Sequence, residues 1–411
     1  MKINRHILDN GLRLVHSQDE STQMVALNVL YNVGARDEHP EHTGFAHLFE
    51  HLMFGGSVNI PDYDMPLQLA GGENNAWTNN DITNYYLTVP KPNVETAFWL
   101  ESDRMLELAF SEQSLEVQRG VVMEEFKQRC LNQPYGDVGH LFRPLAFRVH
   151  PYRWPTIGKE LSHIEQATLD EVKSFFYRFY APNNAVLAVT GNISWDETVK
   201  LTEKWFAPIP RRDVPVRQLP QEPEQTQERR LTVERNVPLD ALFMGYHMCS
   251  REGADYYAFD ILSDILSNGR SSRLNRRLVQ EQNIFSGIDA YISGTRDAGL
   301  LQISGKPAAG VSLEQAEAAV RKELEELQRS PVDGQELEKV KNKFESTQIF
   351  GNINYLNVAT NLAWFELTGK AEDIDLEVER YRSVTTEQLH TVAQRTFCES
   401  NAVVLYYKSD K

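Results

Sequence analysis

His47, Glu50 and His51 fall in one short apolar run, Thr43-Gly-Phe-Ala-His-Leu-Phe-Glu-His-Leu-Met-Phe-Gly-Gly56. Histidines at i and i+4 of a helix stack their imidazoles on one face, one turn apart, and can chelate a metal without strain. Zinc suits two imidazoles and a carboxylate because it accepts tetrahedral nitrogen and oxygen ligands with one position left open. Glu50 lies between the histidines, within reach of a water on such a metal rather than of the metal itself. It would act as general base. That chemistry is peptide hydrolysis, and His-x-x-Glu-His is the mirror order of the commoner His-Glu-x-x-His zinc motif. The competing reading, two hydrogen-bonded core histidines beside a solvated Glu, leaves three polar residues in an apolar helix without explanation.

Phe45, Leu48, Phe49 and Leu52 recur at helical spacing, with Thr43 as the expected cap and Gly55-Gly56 as the stop. Upstream, Arg5–Leu8, the Asn10-Gly11 turn, Leu12–His16 and Val25–Val33 read as strand, turn and strands. Downstream, Gly71–Thr78 leads into a hairpin that ends at Thr83–Pro90. Asn75, Ala76, Trp77 and Thr78 are short, polar and Gly-flanked, as an edge strand is, and could hold an extended peptide by main-chain pairing. Two helices follow, over 92–109 and from Ser111 or Ser114 through Phe126. The second carries Glu124 and Glu125, the candidates for a third ligand, and helix periodicity does not choose between them.

Thr168 and Glu171 form a capping box for a helix over Leu169–Tyr180, and Ala185–Thr190 reads as a buried strand. Five prolines between Phe206 and Arg229 mark a linker, after which the pattern repeats. Tyr257–Gly269 aligns with the histidine helix at an offset of 214, which turns His47, Glu50 and His51 into Ile261, Asp264 and Ile265. Thr385 onward aligns with Thr168 onward at an offset of 217. The chain therefore reads as a duplication: domain 1–206 with the chemistry, linker 207–229, and domain 230–411 without it. Each half is α+β, a mainly antiparallel sheet with helices on one face.

The 411 residues carry a net charge of −16, which argues against nucleic acid and anionic membrane surfaces. Cys130, Cys249 and Cys398 are too scattered for a metal or disulfide framework and read as buried thiols. Met1-Lys2-Ile3 enters strand-like sequence without a signal or transit pattern, and no apolar run is long enough to span a membrane. A cytoplasmic location is the expectation.

The whole chain resembles the M16 metallopeptidases, the pitrilysin/insulinase-type inverted zinc-motif family. It is similar to the mitochondrial processing peptidase subunits and their small bacterial relatives, with their LuxS/MPP-like metallohydrolase halves. The family pattern Glu-Arg-x-x-Val-x-x-Glu resembles Gln118-Arg119-Gly120-Val121-Val122-Met123-Glu124-Glu125. The resemblance implies one zinc ion held by His47, His51 and Glu125. Gln118, in place of the first Glu, would hydrogen-bond a ligand and leave the site less negative. It also implies that Gly72–Thr78 binds substrate. The Arg and Tyr that family enzymes carry in the second half fall on Val279 and Ser286, with Arg277 and Phe285 nearby. The implied protein is a zinc endopeptidase working in a closed chamber, the zinc-bearing subunit of a dimer. Its partner, a related subunit without the zinc motif, would supply the Arg and Tyr; a dimer of two copies is the other assembly the resemblance implies. A non-catalytic assembly subunit of the same family is the alternative. Intact His47, Glu50 and His51 argue against it.

Overall fold

Six strands form the first sheet: β1 (Asn4–Ile7), β2 (Arg13–Gln18), β3 (Met24–Tyr31), β4 (Glu73–Thr78), β5 (Thr83–Pro90) and β6 (Ala185–Gly191). Their spatial order is β1-β2-β6-β3-β5-β4, so β4 is an edge strand, as its alternation of exposed and half-buried residues requires. Five strands form the second: β7 (Arg229–Arg235), β8 (Ala241–Met248), β9 (Phe285–Ile292), β10 (Gly299–Pro307) and β11 (Ala402–Ser409), ordered β7-β11-β8-β10-β9. Without β1, the first order maps onto the second strand for strand. Each sheet also has a single parallel pair in the same place, β2 with β6 and β7 with β11. The repeat read from the sequence is thus a repeat of topology, and the fold is α+β in two related halves.

This is a computed structural model that describes residues 1–410. Its two units do not follow the sequence halves. The first comprises Met1–Leu131, Trp154–Pro220 and Ile349–Leu376; the second comprises Asn132–Arg153, Gln221–Gln348 and the chain from Glu377 onward. The borrowed segments have a physical purpose. Helices on one face of the first sheet bury Leu27, Val29 and Leu87 under Phe49, Phe98 and Phe176. On its other face, helix Tyr355–Thr368 lays Leu362 and Phe365 over Val15, Ala26, Leu30, Val186 and Ala188. In the second unit, helix Val138–Ala146 does the same, with Phe142 against Leu300, Val403 and Leu405. A sheet buried on both faces needs apolar residues throughout, and β6 is buried along its whole length.

The proline-rich segment has no regular structure, but it is pinned by hydrogen bonds. Arg212 donates to the carbonyls of Tyr180 and Leu106, each at 2.7 Å. Glu222 accepts from the backbone N–H of Arg148, Val149 and His150 at 2.8–3.1 Å. Of the three cysteines only Cys130 is buried; Cys249 and Cys398, expected inside, are half-buried. Among the described residues no helix is long and apolar enough to cross a membrane.

Candidate metal centre

The histidine helix spans Phe45–Leu52 and is short enough that its ends decide its placement. The sequence assigns the cap to Thr43. The structure corrects this: the cap position is Gly44, at φ 89°, and no side chain of the cap residue bonds the helix. A Cβ on Gly44 would lie 2.8 Å from Ile164 Cδ1 and 2.9 Å from the Ile157 carbonyl, so glycine is required there. Thr43 Oγ1 is turned away, accepting from Lys159 N at 2.8 Å and meeting His163 Nδ1 at 2.9 Å. The open N–H groups of Gly44 and Ala46 go instead to Glu38 Oε2 and Oε1, both at 2.9 Å. Burial pushes the Glu38 carboxyl up to about 8, against the pull of the Ala46 and Gly44 N–H groups. Further along, Tyr85 Oη donates to the Phe49 carbonyl at 3.2 Å.

His47 and His51 lie with ring centroids 5.0 Å apart and planes at 87°. Both Nε2 atoms face one oxygen of Glu125, Oε2, at 3.4 Å from His47 and 3.3 Å from His51. Glu125 comes from helix Glu112–Phe126, whose cap is Ser111, with Oγ accepting from Ser114 N at 3.0 Å. Glu124 and Glu125, which periodicity leaves open, face in different directions. Glu124 is exposed and, among the described residues, accepts only a 3.3 Å bond from Gln128, one turn on. Directly after the helix the backbone widens into a π turn over Lys127–Leu131, a feature common at functional sites. That turn carries Arg129, whose Nη2 lies 2.9 Å from Glu125 Oε1.

The charges at this site favour a cation. Burial lowers the His47 imidazole to about 4, so it is neutral with a lone pair to offer. The adjacent His51 imidazole holds Glu125 below the usual carboxylate range, against the effect of burial, so it is an anion. The three ligand atoms lie within 4.8 Å of one another and form the one such His/Cys/Asp/Glu group among the described residues. Separations of 3.3 and 3.4 Å are longer than an ordinary hydrogen bond. They match the edge of a tetrahedron with zinc–ligand bonds of about 2.0–2.1 Å, which is about 3.4 Å. The donor set fits zinc.

Glu50 stands beside the trio and is not one of its ligand atoms. Burial raises its pKa, and the Thr78 hydroxyl opposes the rise. Thr78 ends β4, so the edge strand runs up to Glu50. Ala76 turns into the core, Trp77 is 36% exposed, and the Ala76 N–H is met by Asn75 Oδ1 at 2.8 Å. Gln118 lies near the end of the histidine helix, its Cγ 3.8 Å from where a Cβ on Gly55 would be. No described hydrogen bond joins it to His47, His51 or Glu125. Glu38 and Arg129 were missed in the sequence. Arg129 had a signal, a Glu–Arg pair at i and i+4; Glu38 had none.

In the second unit the aligned positions carry no such chemistry. Ile261 and Ile265 are core residues, and Asp264 pairs with Lys343 at 3.6 Å. Arg277 is held by Glu323 and Glu326, Phe285 is buried, and Ser286 Oγ donates to the Lys306 carbonyl at 3.1 Å.

Two family models match the chain: Insulinase (Peptidase family M16) over residues 13–137, and Peptidase M16 inactive domain over residues 166–344. The chain belongs to the M16 peptidase family. The first match contains His47, Glu50, His51 and Glu125, and the second contains Ile261 and Ile265. Among M16 relatives, the zinc protease PqqE of Helicobacter pylori is 27% identical over 98% of this chain and 91% of that protein. The crystal structure of a protease from Helicobacter pylori is also 27% identical, with a TM-score of 0.94 over 99% of both chains. The periplasmic protease PqqL of Escherichia coli shares the fold at a TM-score of 0.81 and 18% identity. It takes in 99% of this chain, which spans 47% of the length of PqqL.

Proposed function

We propose that this M16 chain is the zinc-bearing subunit of an endopeptidase, with one Zn²⁺ on His47, His51 and Glu125. The observation that carries the reading is the convergence of two imidazole nitrogens and one carboxylate oxygen beside Glu50. Zinc, when bound, supplies Lewis acidity toward the scissile carbonyl and toward water. The chain's own residues supply the rest. β4 presents an open edge on which an extended peptide pairs through main-chain groups, with Asn75, Ala76, Trp77 and Thr78 in contact. Glu50, its proton affinity raised by burial, takes the proton of the attacking water and returns it to the leaving amine. Gln118 hydrogen-bonds a ligand or its water from the same helix as Glu125.

A second M16 subunit is part of the reading. The chain is about half as long as PqqL, which shares its fold. Its own second unit has Val279 and Ser286 where the family resemblance places an Arg and a Tyr. The partner closes the chamber and supplies that pair. The duplicated halves 1–206 and 230–411, joined by 207–229, and the bacterial cytoplasm complete the proposal. The test is zinc stoichiometry with peptide hydrolysis, with and without a co-purified relative. The expected result is about one zinc per chain, with Glu50→Gln keeping the metal and losing about 10²–10⁴-fold in kcat. A chain that binds no zinc would overturn the reading and leave the assembly-subunit role, which the inactive-domain match over 166–344 favours.

A further inference from the structure

The metal-bearing helix and the edge strand are joined through a route that neither carries itself. Glu38 is 6% exposed, and each of its oxygens takes one N–H from the start of the helix, Gly44 and Ala46. No side chain of the cap residue shares that task. Glu38 closes a tight turn over Ala35–Asp37 that is bound to the segment just after β4. Ala35 N donates to the Asn79 carbonyl at 3.1 Å, and Arg36 N donates to the Asn80 carbonyl at 2.9 Å. The buried Arg36 Nη1 lies 3.1 Å from Asp81 Oδ1, and Trp154 Nε1 donates to the Ala35 carbonyl at 3.0 Å. The two segments touch so closely that a Cβ on Gly34 would lie 2.6 Å from the Asn79 carbonyl oxygen. The chain of contacts thus runs from β4 through Asn79–Asp81 and the turn to Glu38, and from Glu38 to the helix that carries His47, Glu50 and His51.

We propose that Glu38 is a positioning residue that fixes the metal-bearing helix against the edge strand, and so sets Glu50 and the two histidines relative to a peptide lying on β4. The two-oxygen geometry is what makes the proposal specific. Each Glu38 oxygen keeps a lone pair for its N–H whether or not the carboxyl carries a proton, whereas a glutamine of the same shape turns an NH₂, with no lone pair to offer, toward one of the two N–H groups. An aspartate keeps both acceptors but is one methylene shorter, so reaching both N–H groups shifts the helix start.

The activity part of the proposal rests on the peptidase reading; the metal part does not. Zinc affinity is measured by chelator competition on the full chain for wild type, Glu38→Gln and Glu38→Asp, with kcat and KM for peptide measured alongside in the presence of the co-purified relative. Thr43→Val is the comparison for a purely structural loss, since Thr43 is buried at the same helix end but bonds Lys159 and His163. The expected result is zinc binding weakened about tenfold or more in both Glu38 variants, in the range seen when a group supporting a ligand is lost. kcat should fall with KM within about twofold, while Thr43→Val lowers Tm and leaves zinc affinity unchanged. Should Glu38→Gln fail to fold, Glu38→Asp is read by the same assays. Folded Glu38 variants with wild-type zinc affinity and kcat overturn the proposal. If wild type together with its co-purified relative hydrolyses no peptide but the Glu38 variants still lose zinc affinity, the peptidase reading fails and the positioning role stands.

Discussion

Arg129 Nη2 lies 2.9 Å from Oε1 of Glu125, leaving Oε2 as the oxygen that faces His47 and His51. Both oxygens of this carboxylate are therefore committed, whereas Glu124 on the neighbouring face accepts a bond from Gln128. Elemental analysis after dialysis should find zinc in wild type and in Glu124→Gln, and at least about tenfold less in Glu125→Gln. Equal zinc in both variants would show that the third ligand is elsewhere.

The edge strand makes a prediction that leaves the metal alone. The Ala76 N–H on this edge strand is met by Asn75 Oδ1, a side chain that a peptide carbonyl would replace once Asn75 swings aside. Ala76→Pro removes that donor at a position where proline is tolerated. One main-chain hydrogen bond is worth about 0.5–1.5 kcal/mol, so KM should rise about 2–10-fold with zinc content unchanged. Steady-state kinetics on a peptide long enough to span β4 decides it.

The region that holds the Phe49 carbonyl contains a buried ion pair. Arg104 and Glu101 are both 1% exposed, with Arg104 Nε donating to Glu101 Oε2 at 3.0 Å. The guanidinium lies over the rings of Tyr85 and Tyr63 at 4.5 and 4.6 Å. Arg104→Met leaves Glu101 charged and unpaired in the core and should cost about 3–5 kcal/mol in denaturant unfolding. Adding Glu101→Gln removes the stranded charge, so the double variant should be more stable than Arg104→Met alone.

Acid should weaken the second unit through Glu317. Burial would raise its carboxyl, but bonds from Arg230, Tyr406 and Arg321 outweigh burial and bring it down from 4.5 to about 2. A depressed folded-state value lends stability that is complete above about pH 4.5 and lost as pH falls toward about 2, up to about 3 kcal/mol. Glu317→Gln should be less stable at neutral pH and lose less between pH 4.5 and 2. Denaturant melts at a series of pH values test both halves of that statement.

The histidine helix, the edge strand and the repeat were legible because each rests on a local pattern: i and i+4 spacing, Gly-flanked alternation, and matching caps at fixed offsets. The two-sided burial of each sheet was not. Nothing in Tyr355–Thr368 or Val138–Ala146 states which sheet they cover, because an apolar helix face fits many apolar surfaces. The cap was misread for a related reason. Thr43 has the right chemistry in the right place, but Glu38 outcompetes it by folding back from a separate turn, a contact that no short-range rule describes. Glu124 and Glu125 could not be separated by periodicity because adjacent helix positions differ only in the direction they face.

The crossing of segments between the two units bears on how the protein can be divided. Ending the chain at the proline-rich stretch would leave the first sheet without Tyr355–Thr368, baring Val15, Ala26, Leu30, Val186 and Ala188 to water. A fragment made that way would carry every residue of the metal centre on a sheet with one uncovered apolar side, a surface prone to self-association. A protease nick at the same place is a different matter. Both pieces are then already folded around each other's helices, so the cut protein should stay together and keep His47, His51 and Glu125 in place.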